Sequence, residues 1–148
     1  MAHEEIAAGG LRAFFERFQS LSAASDVERL ATMYARSVMI AGPKGAQVVS
    51  SADLQRAIPK RRQLLESVGY LNTALVACEE TTLTDRYALV RAQFRWDFRA
   101  TNGELITVTL PSSFIVDRGG DSPRIVLYMN EDDVVSALRE RGVLPPVS

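Results

Sequence analysis

The periodicity of this chain changes once, near residue 70, and that single change limits what it can fold into. Before it, apolar side chains recur every three or four positions. Leu11, Phe14, Phe15, Phe18 and Leu21 form one such stripe, which places them on one side of a helix. After it, threonine, valine, isoleucine and aromatic residues alternate with polar ones, the pattern of half-buried strands. Helices gathered at the front and strands gathered behind cannot wind a parallel sheet of strand-helix-strand units. They predict an α+β domain in which helices pack on an antiparallel meander.

Local signals punctuate the helical half. Ser25-Asp26-Val27-Glu28 has capping-box spacing, with Ser25 as the cap of a second helix running to about Ala35 and burying Val27, Leu30, Met33 and Tyr34. Ser37 to Ala41 reads as a short apolar strand and Gly42-Pro43-Lys44-Gly45 as a turn. Ser50, Ser51 and Asp53 open a third helix over about 52–67, ended by Gly69. Pro59 lies inside it, lacks a donor and crowds the preceding turn, so a kink or break is expected near Arg56 to Ile58.

Four strands are predicted next, over 71–83, 86–100, 105–117 and 124–129. Asp85-Arg86, Thr101-Asn102-Gly103 and Arg118-Gly119-Gly120-Asp121 are the turns between them. Asn130 with Asp133 signals the start of a last helix through Val134, Val135 and Leu138, stopped by Gly142 and Pro145.

The second strand carries two alternate sets. Ala88, Val90, Ala92, Phe94, Trp96 and Phe98 are apolar, whereas Arg91, Gln93, Arg95, Asp97 and Arg99 are polar. Its hairpin to the third strand decides which set faces the core. A three-residue loop, Thr101-Asn102-Gly103, sets Phe98 opposite Ile106 and Trp96 opposite Val108, and the apolar sets agree. A two-residue loop, Asn102-Gly103, sets Asp97 opposite Val108 and turns a charged row inward. Both turns have sequence support.

At 148 residues, 47% of them hydrophobic, the chain is long enough to bury a core as one domain over 1–148. Its 17 basic and 18 acidic side chains give a net charge of -1, without the surplus that draws proteins to nucleic acid or anionic membrane. The run Lys60-Arg61-Arg62 reads as a solvated helix face. No apolar stretch approaches the roughly 18 residues of a membrane span, and the opening MAHEEIAAGG is acidic where a secretory leader is basic. The single cysteine, Cys78, forms no internal disulfide, reads as apolar filler and suits a reducing cytoplasm. The only histidine is His3, near the terminus, so no base stands ready for the thiol and no metal cluster is expected. Gly119-Gly120 lies in a hairpin and makes no phosphate loop.

The segment RFQSLSAASDVERLATMYARSVMIAGPKG, residues 17–45, together with RIVLYMNEDDVV, resembles the ketosteroid isomerases and the wider NTF2-like, SnoaL-like superfamily, and the resemblance extends over about 8–142. It implies a cone: three N-terminal helices packed in a strongly curved antiparallel sheet, a short C-terminal helix, and a pocket inside. Ketosteroid isomerases carry a general-base carboxylate in a loop just before a proline, where this chain has Gly42 before Pro43. Their oxyanion-hole tyrosine on the first helix corresponds to Phe18, and their protonated aspartate on the third strand to Ser112. Gly42 and Phe18 can neither move a proton nor stabilise an enolate, so ketosteroid isomerisation is not expected.

Limonene-epoxide-hydrolase-like relatives use Arg-x-Asp on the second strand and an aspartate on the last. This chain has Arg95-Trp96-Asp97, and Asn130 at the last-strand position. Asn130 can orient water or a substrate oxygen but cannot exchange a proton, and an exposed cross-strand ion pair also explains Arg95 with Asp97.

The expectation is a cytoplasmic, cofactor-free and metal-free homodimer that binds a small hydrophobic molecule, with neither nucleic acid nor membrane as partner. If catalytic, it would act as a hydratase, isomerase or cyclase through Asp97, Arg95 and Asn130. Tyr128, Trp96, Phe18, Tyr34, Ser112 and Phe98 are its candidate binding residues. The rival expectation is a non-catalytic dimerisation or adaptor module whose cone is plugged by side chains such as Phe14, Phe18, Trp96 and Phe98.

Overall fold

A computed structural model describes residues 2–131 and 134–142, with side chains from Leu11 onward. Its helices are α1 (Ala2–Ala23), α2 (Val27–Ala31), α3 (Ser51–Ser67) and α4 (Val134–Glu140). Its strands are β1 (Tyr34–Gly42), β2 (Gly45–Ser50), β3 (Tyr70–Thr82), β4 (Tyr87–Arg99), β5 (Leu105–Asp117) and β6 (Arg124–Asn130). They form one curved, unclosed six-stranded sheet in the order β2-β1-β6-β5-β4-β3, the α+β arrangement expected from the change of period and the cone that the resemblance implies. His3, Asp133 and Pro145 lie outside the residues whose side chains are described.

The β4–β5 hairpin takes the three-residue loop. Ala100 N–H donates to Glu104 O at 2.9 Å, Gly103 N–H donates to Ala100 O at 2.9 Å, and Gly103 holds φ +87°, the left-handed position such a loop requires. Phe98 therefore faces Ile106, Trp96 faces Val108 and Asp97 faces Thr107. The apolar row of β4 lines the concave face, with Ala88, Val90, Ala92 and Phe98 fully buried.

Several local expectations need correction. Helix α2 is capped by Asp26, whose carboxylate accepts from Arg29 N–H, not by Ser25. Ser25 instead takes φ +54° as the chain turns out of α1. Helix α2 ends at Ala31 because Tyr34 already begins β1. Ile125 N–H donates to Met33 O at 2.8 Å, pinning that segment to β6. Helix α3 runs unbroken through Pro59, so the expected break is absent. Its start is a full capping box: Ser50 Oγ accepts from Asp53 N–H at 3.1 Å, and Asp53 Oδ2 accepts from Ser50 N–H at 3.0 Å.

Strand β2 was unforeseen. It is an edge strand exposed along nearly all its length, with only Val49 half-buried, and a strand that buries so little shows no alternation. The sheet is also not wholly antiparallel: β1 lies parallel to β6, because the meander brings its last strand back beside the first hairpin.

Two apolar cores fill the cone. In the larger, Leu11, Phe15 and Phe18 of α1 pack on Val90, Ala92, Phe94, Phe114, Val116 and Ile125. The small Ala88 and Ala92 leave room for the aromatic rings, and Phe15 meets Phe114 at 4.5 Å between centroids. In the smaller, Leu65 of α3 and Val134, Ala137 and Leu138 of α4 close over Phe98 and Val108. Trp96 borders both.

The connection from α3 to β3 is sterically specified. Gly69 has φ +89°, and a Cβ there would stand 1.9 Å from Arg99 O, while Arg99 N–H donates to Gly69 O at 2.8 Å. Gly103 also has positive φ but open space around it. Gly69→Ala should therefore lower unfolding stability by at least about 2 kcal/mol, and Gly103→Ala by only about 1 kcal/mol from backbone strain. Urea denaturation of the two variants checks this, and equal losses would contradict the close approach at Gly69.

Candidate functional site

Between the two cores, beneath α3, the cone is not filled. A chamber of about 140 Å³ is lined by Phe18, Leu30, Tyr34, Phe94, Trp96 and Tyr128, among others. An engineered apolar cavity of roughly this size holds benzene. Two wider hollows adjoin it towards the open end of the cone. One, of about 430 Å³, shares Tyr34, Ile58, Arg61 and Tyr128 with the chamber. The other, of about 560 Å³, reaches Gly42, Pro43, Lys44 and Asn130 and is also walled by Arg61. Helix α3 brings these groups in because Leu54, Ile58, Arg61, Arg62 and Leu65 follow its three-four spacing.

Polar groups in the chamber divide into spent and unspent. Tyr70 Oη and Thr73 Oγ1 hydrogen-bond each other at 2.6 Å, and Gln19 Nε2 donates to Thr73 O at 2.6 Å. Arg62 Nη1 donates to Ser22 O at 3.0 Å and to Ala23 O at 2.8 Å, and its guanidinium stacks 4.6 Å from the Tyr70 ring centroid. At the mouth, Ser112 Oγ donates to Asn130 Oδ1 at 2.7 Å, and the Asn130 amide hydrogens have no acceptor among the described residues.

Tyr34, Tyr128 and Arg61, in contrast, have side chains that form no hydrogen bond or ion pair among the described residues. Burial raises the Tyr34 pKa, as does the nearby Tyr128, while Arg61 pulls it down. The Tyr34 phenol therefore stays protonated at neutral pH, with Tyr128 and Arg61 both electrostatically close to it.

The residues singled out from sequence separate onto two faces. Phe18, Tyr34, Trp96 and Tyr128 line the chamber. Asn130 stands at the mouth, with Ser112 buried beside it. Phe98 is fully buried in the smaller core and reaches no cavity. Arg95 and Asp97 project from the opposite, outer face, because the three-residue hairpin turns the charged row of β4 away from the cone. There Arg95 Nε lies 3.4 Å from Asp97 Oδ1, and Thr107 Oγ1 donates to the same oxygen at 3.1 Å. The geometry thus does not bring Arg95 and Asp97 together with Asn130, and the pair is an ion pair along one strand rather than across two.

Proton-transfer groups are scarce inside. Asp53, at the rim, is tied to Ser50 and Arg56, and its bonds to Ser50 hold its carboxyl below the usual range. Cys78 packs at the margin of the larger core, where burial pushes its thiol up. Among the described residues no group of acidic, cysteine or histidine side chains could hold a metal, and no helix is long and apolar enough to cross a membrane.

Arg61 is exposed, as the basic run was expected to be, but sequence reading did not connect it with the cone, and it also passed over Phe94, Ile58, Arg62, Tyr70 and Thr73 in the walls. The signal for Arg61 was present: it sits three residues after Ile58 and four before Leu65, on the stripe of α3 that turns inward.

A curved sheet closed over by an N-terminal helix, with an aromatic hollow inside, defines the cone class of α+β proteins. The chain belongs to the NTF2-like protein (DUF6841) family, whose model matches residues 4–133. No curated protein matches it. Among solved structures, it is similar to an NTF2-like protein with a cystatin-like fold from Novosphingobium aromaticivorans, at 17% identity and TM-score 0.71 over 94% of this chain and 89% of that one. Aln2 from a Streptomyces species aligns at 10% identity and TM-score 0.68 over 89% and 94%. The beta subunit of the benzoate 1,2-dioxygenase from Burkholderia mallei aligns at 14% identity and TM-score 0.63 over 84% and 93%. At these identities the likeness is one of fold.

The buried phenol gives a pH test. A tyrosine whose pKa is raised by folding contributes stability that is whole below its unfolded value, about 10, and is lost as the pH climbs beyond it. The fall in urea stability between about pH 9 and pH 10.5 should be shallower in Tyr34→Phe than in the parent. Identical slopes would place the Tyr34 hydroxyl in water.

Proposed function

We propose that this protein binds a small hydrophobic molecule of one or two rings inside its cone and does not itself carry out an isomerisation. The observation that carries this reading is the unfilled aromatic chamber between two otherwise close-packed cores. Folded interiors seldom leave apolar space empty, because every lining atom then forfeits contact energy. The chamber with its wider mouth reaches the size of ordinary small-molecule sites.

Against a catalytic role stands the chemistry of the walls. An enolising enzyme needs a base within reach of a carbon-bound proton. Gly42 supplies none, Phe18 has no hydroxyl, and Ser112 is bonded to Asn130. Asn130 can hold a substrate oxygen but cannot take its proton. The plugged-cone alternative is weakened because Phe98 fills only one end and Trp96 forms a wall beside the remaining space.

The protein carries its own reporter, since Trp96 is the only tryptophan and lines the chamber. Titration with toluene or indane should shift or quench its emission saturably. Ile58→Trp, which puts a bulky ring into the same space, should abolish binding while leaving the fold intact by circular dichroism. If neither hydrocarbon binds the parent protein, the cavity reading fails.

The proposal includes a second copy of the chain on the outer sheet face, in a reducing cytoplasm that suits the free Cys78. Gln93, Arg95, Asp97 and Arg99 with Thr107 and Thr109 offer a polar, wet surface there, flanked by exposed Leu71 and Leu105. Light scattering at micromolar concentration should report twice the 16.3 kDa chain mass, and a monomer would count against the pairing.

A further inference from the structure

We infer that the molecule held in the cone is an organic anion, a small aromatic carboxylate whose charged oxygens sit between the Arg61 guanidinium and the hydroxyls of Tyr34 and Tyr128. This rests on the reading of the cone as a ligand site and specifies the class of ligand. Its basis is a set of donors around one chamber that have no acceptor among the described residues.

Arg61 is the residue common to the chamber and both outer hollows. Its guanidinium lies 5.8 Å from the Trp96 ring centroid, so a cation–π contact braces it over the chamber wall. No described carboxylate neutralises it. The nearest candidate on the same rim, Asp53, is engaged by Arg56 and by the cap of α3. Every other arginine on the chamber walls has work elsewhere: Arg62 holds the end of α1 through Ser22 and Ala23 and pairs with Glu66 at 3.8 Å.

The two phenols complete the set. Both line the chamber and neither hydroxyl has a partner among the described residues. Both also line the adjoining hollow that Arg61 walls, and burial keeps Tyr34 a neutral donor. Asn130 adds amide hydrogens that have no acceptor among the described residues, at the mouth.

Guanidinium and hydroxyl donors facing one apolar chamber suit a ligand with a flat apolar body and one anionic end. A planar carboxylate matches the guanidinium fork. A neutral ligand of the same shape would leave the guanidinium without its charge partner. A wholly hydrophilic anion would leave Phe18, Phe94 and Trp96 without apolar contact.

The test compares phenylacetate with phenylacetamide, which share a shape and differ in charge, by Trp96 emission and by calorimetry. Phenylacetate should bind roughly 10-fold tighter, the size of one charge-assisted contact. Arg61→Gln, at an exposed position on α3, should weaken phenylacetate more than phenylacetamide and so remove that preference. Arg61→Lys should keep part of it, and Tyr34→Phe and Tyr128→Phe should each weaken phenylacetate selectively. If both probes bind the parent equally, or Arg61→Gln leaves the preference intact, the cavity reading stands and the anion inference is overturned. If neither probe binds while toluene does, the cavity reading stands and the anion inference is overturned; if toluene fails as well, both fall.

Discussion

The register of the β4–β5 hairpin is the constraint on which the rest of the molecule depends. Side chains alternate across a strand, so a slip of one residue exchanges its two faces completely. With Gly103 left-handed in a three-residue loop, Phe94 and Trp96 point into the cone and Arg95 and Asp97 point out. With a two-residue loop the chamber would hold two charges and the outer face two large aromatics. Burying an arginine and an aspartate costs several kcal/mol in desolvation that their mutual attraction only partly offsets, whereas burying the rings of Phe94 and Phe98 stabilises by roughly 2–3 kcal/mol each. The apolar register wins on magnitude, and Gly103 makes it accessible.

The same arithmetic explains why the hollow falls where it does. Helix α1 packs its phenylalanines onto one half of the concave face, while α3 and α4 cover the other half. Between them the sheet is spanned by α3, whose inward stripe alternates apolar and cationic side chains. Ile58 and Leu65 pack, but Arg61 and Arg62 cannot enter a dry core as charges without partners. Arg62 resolves this by bonding the carbonyls at the end of α1. Arg61 remains at the mouth, partly in water and partly over Trp96. The gap is thus what remains when a helix with two guanidiniums lies across an aromatic sheet.

Much of the fold was legible because its signals are local and repeated. Four long strands and their turns, the N-terminal helix and the cap at Ser50 all follow from periodicity and turn chemistry, and the structure reproduces them within a residue or two. What escaped lacks such a pattern. Strand β2 half-buries only Val49, and the parallel pairing of β1 with β6 is a matter of topology between distant segments. Helix α2 is too short for periodicity to fix, and Asp26 competes with Ser25 for the cap one residue away. The site was harder to read for a different reason. Motif reasoning pointed to Arg95-Trp96-Asp97, where only Trp96 faces the chamber, because spacing along a strand does not say which face is inside. Arg61, in contrast, was hidden within a basic run whose commonest explanation is solvation.

The contrast between Arg61 and Arg62 shows how adjacent residues of one charge come to differ in role. Both lie on α3, both stack on an aromatic ring and both touch the chamber. Arg62 has satisfied carbonyls within 3.0 Å and an acidic neighbour one turn on, so its removal would first be felt as a loosened junction between α1 and α3. Arg61 has a ring beneath it and no acceptor in front of it among the described residues. A charged group held in place but not neutralised keeps most of its electrostatic energy available for whatever enters the cone. Preorganisation of this kind is tolerated only because the guanidinium sits at the rim, where water satisfies it until it is displaced. Moved one turn deeper, the same residue would have to find an internal partner or destabilise the fold.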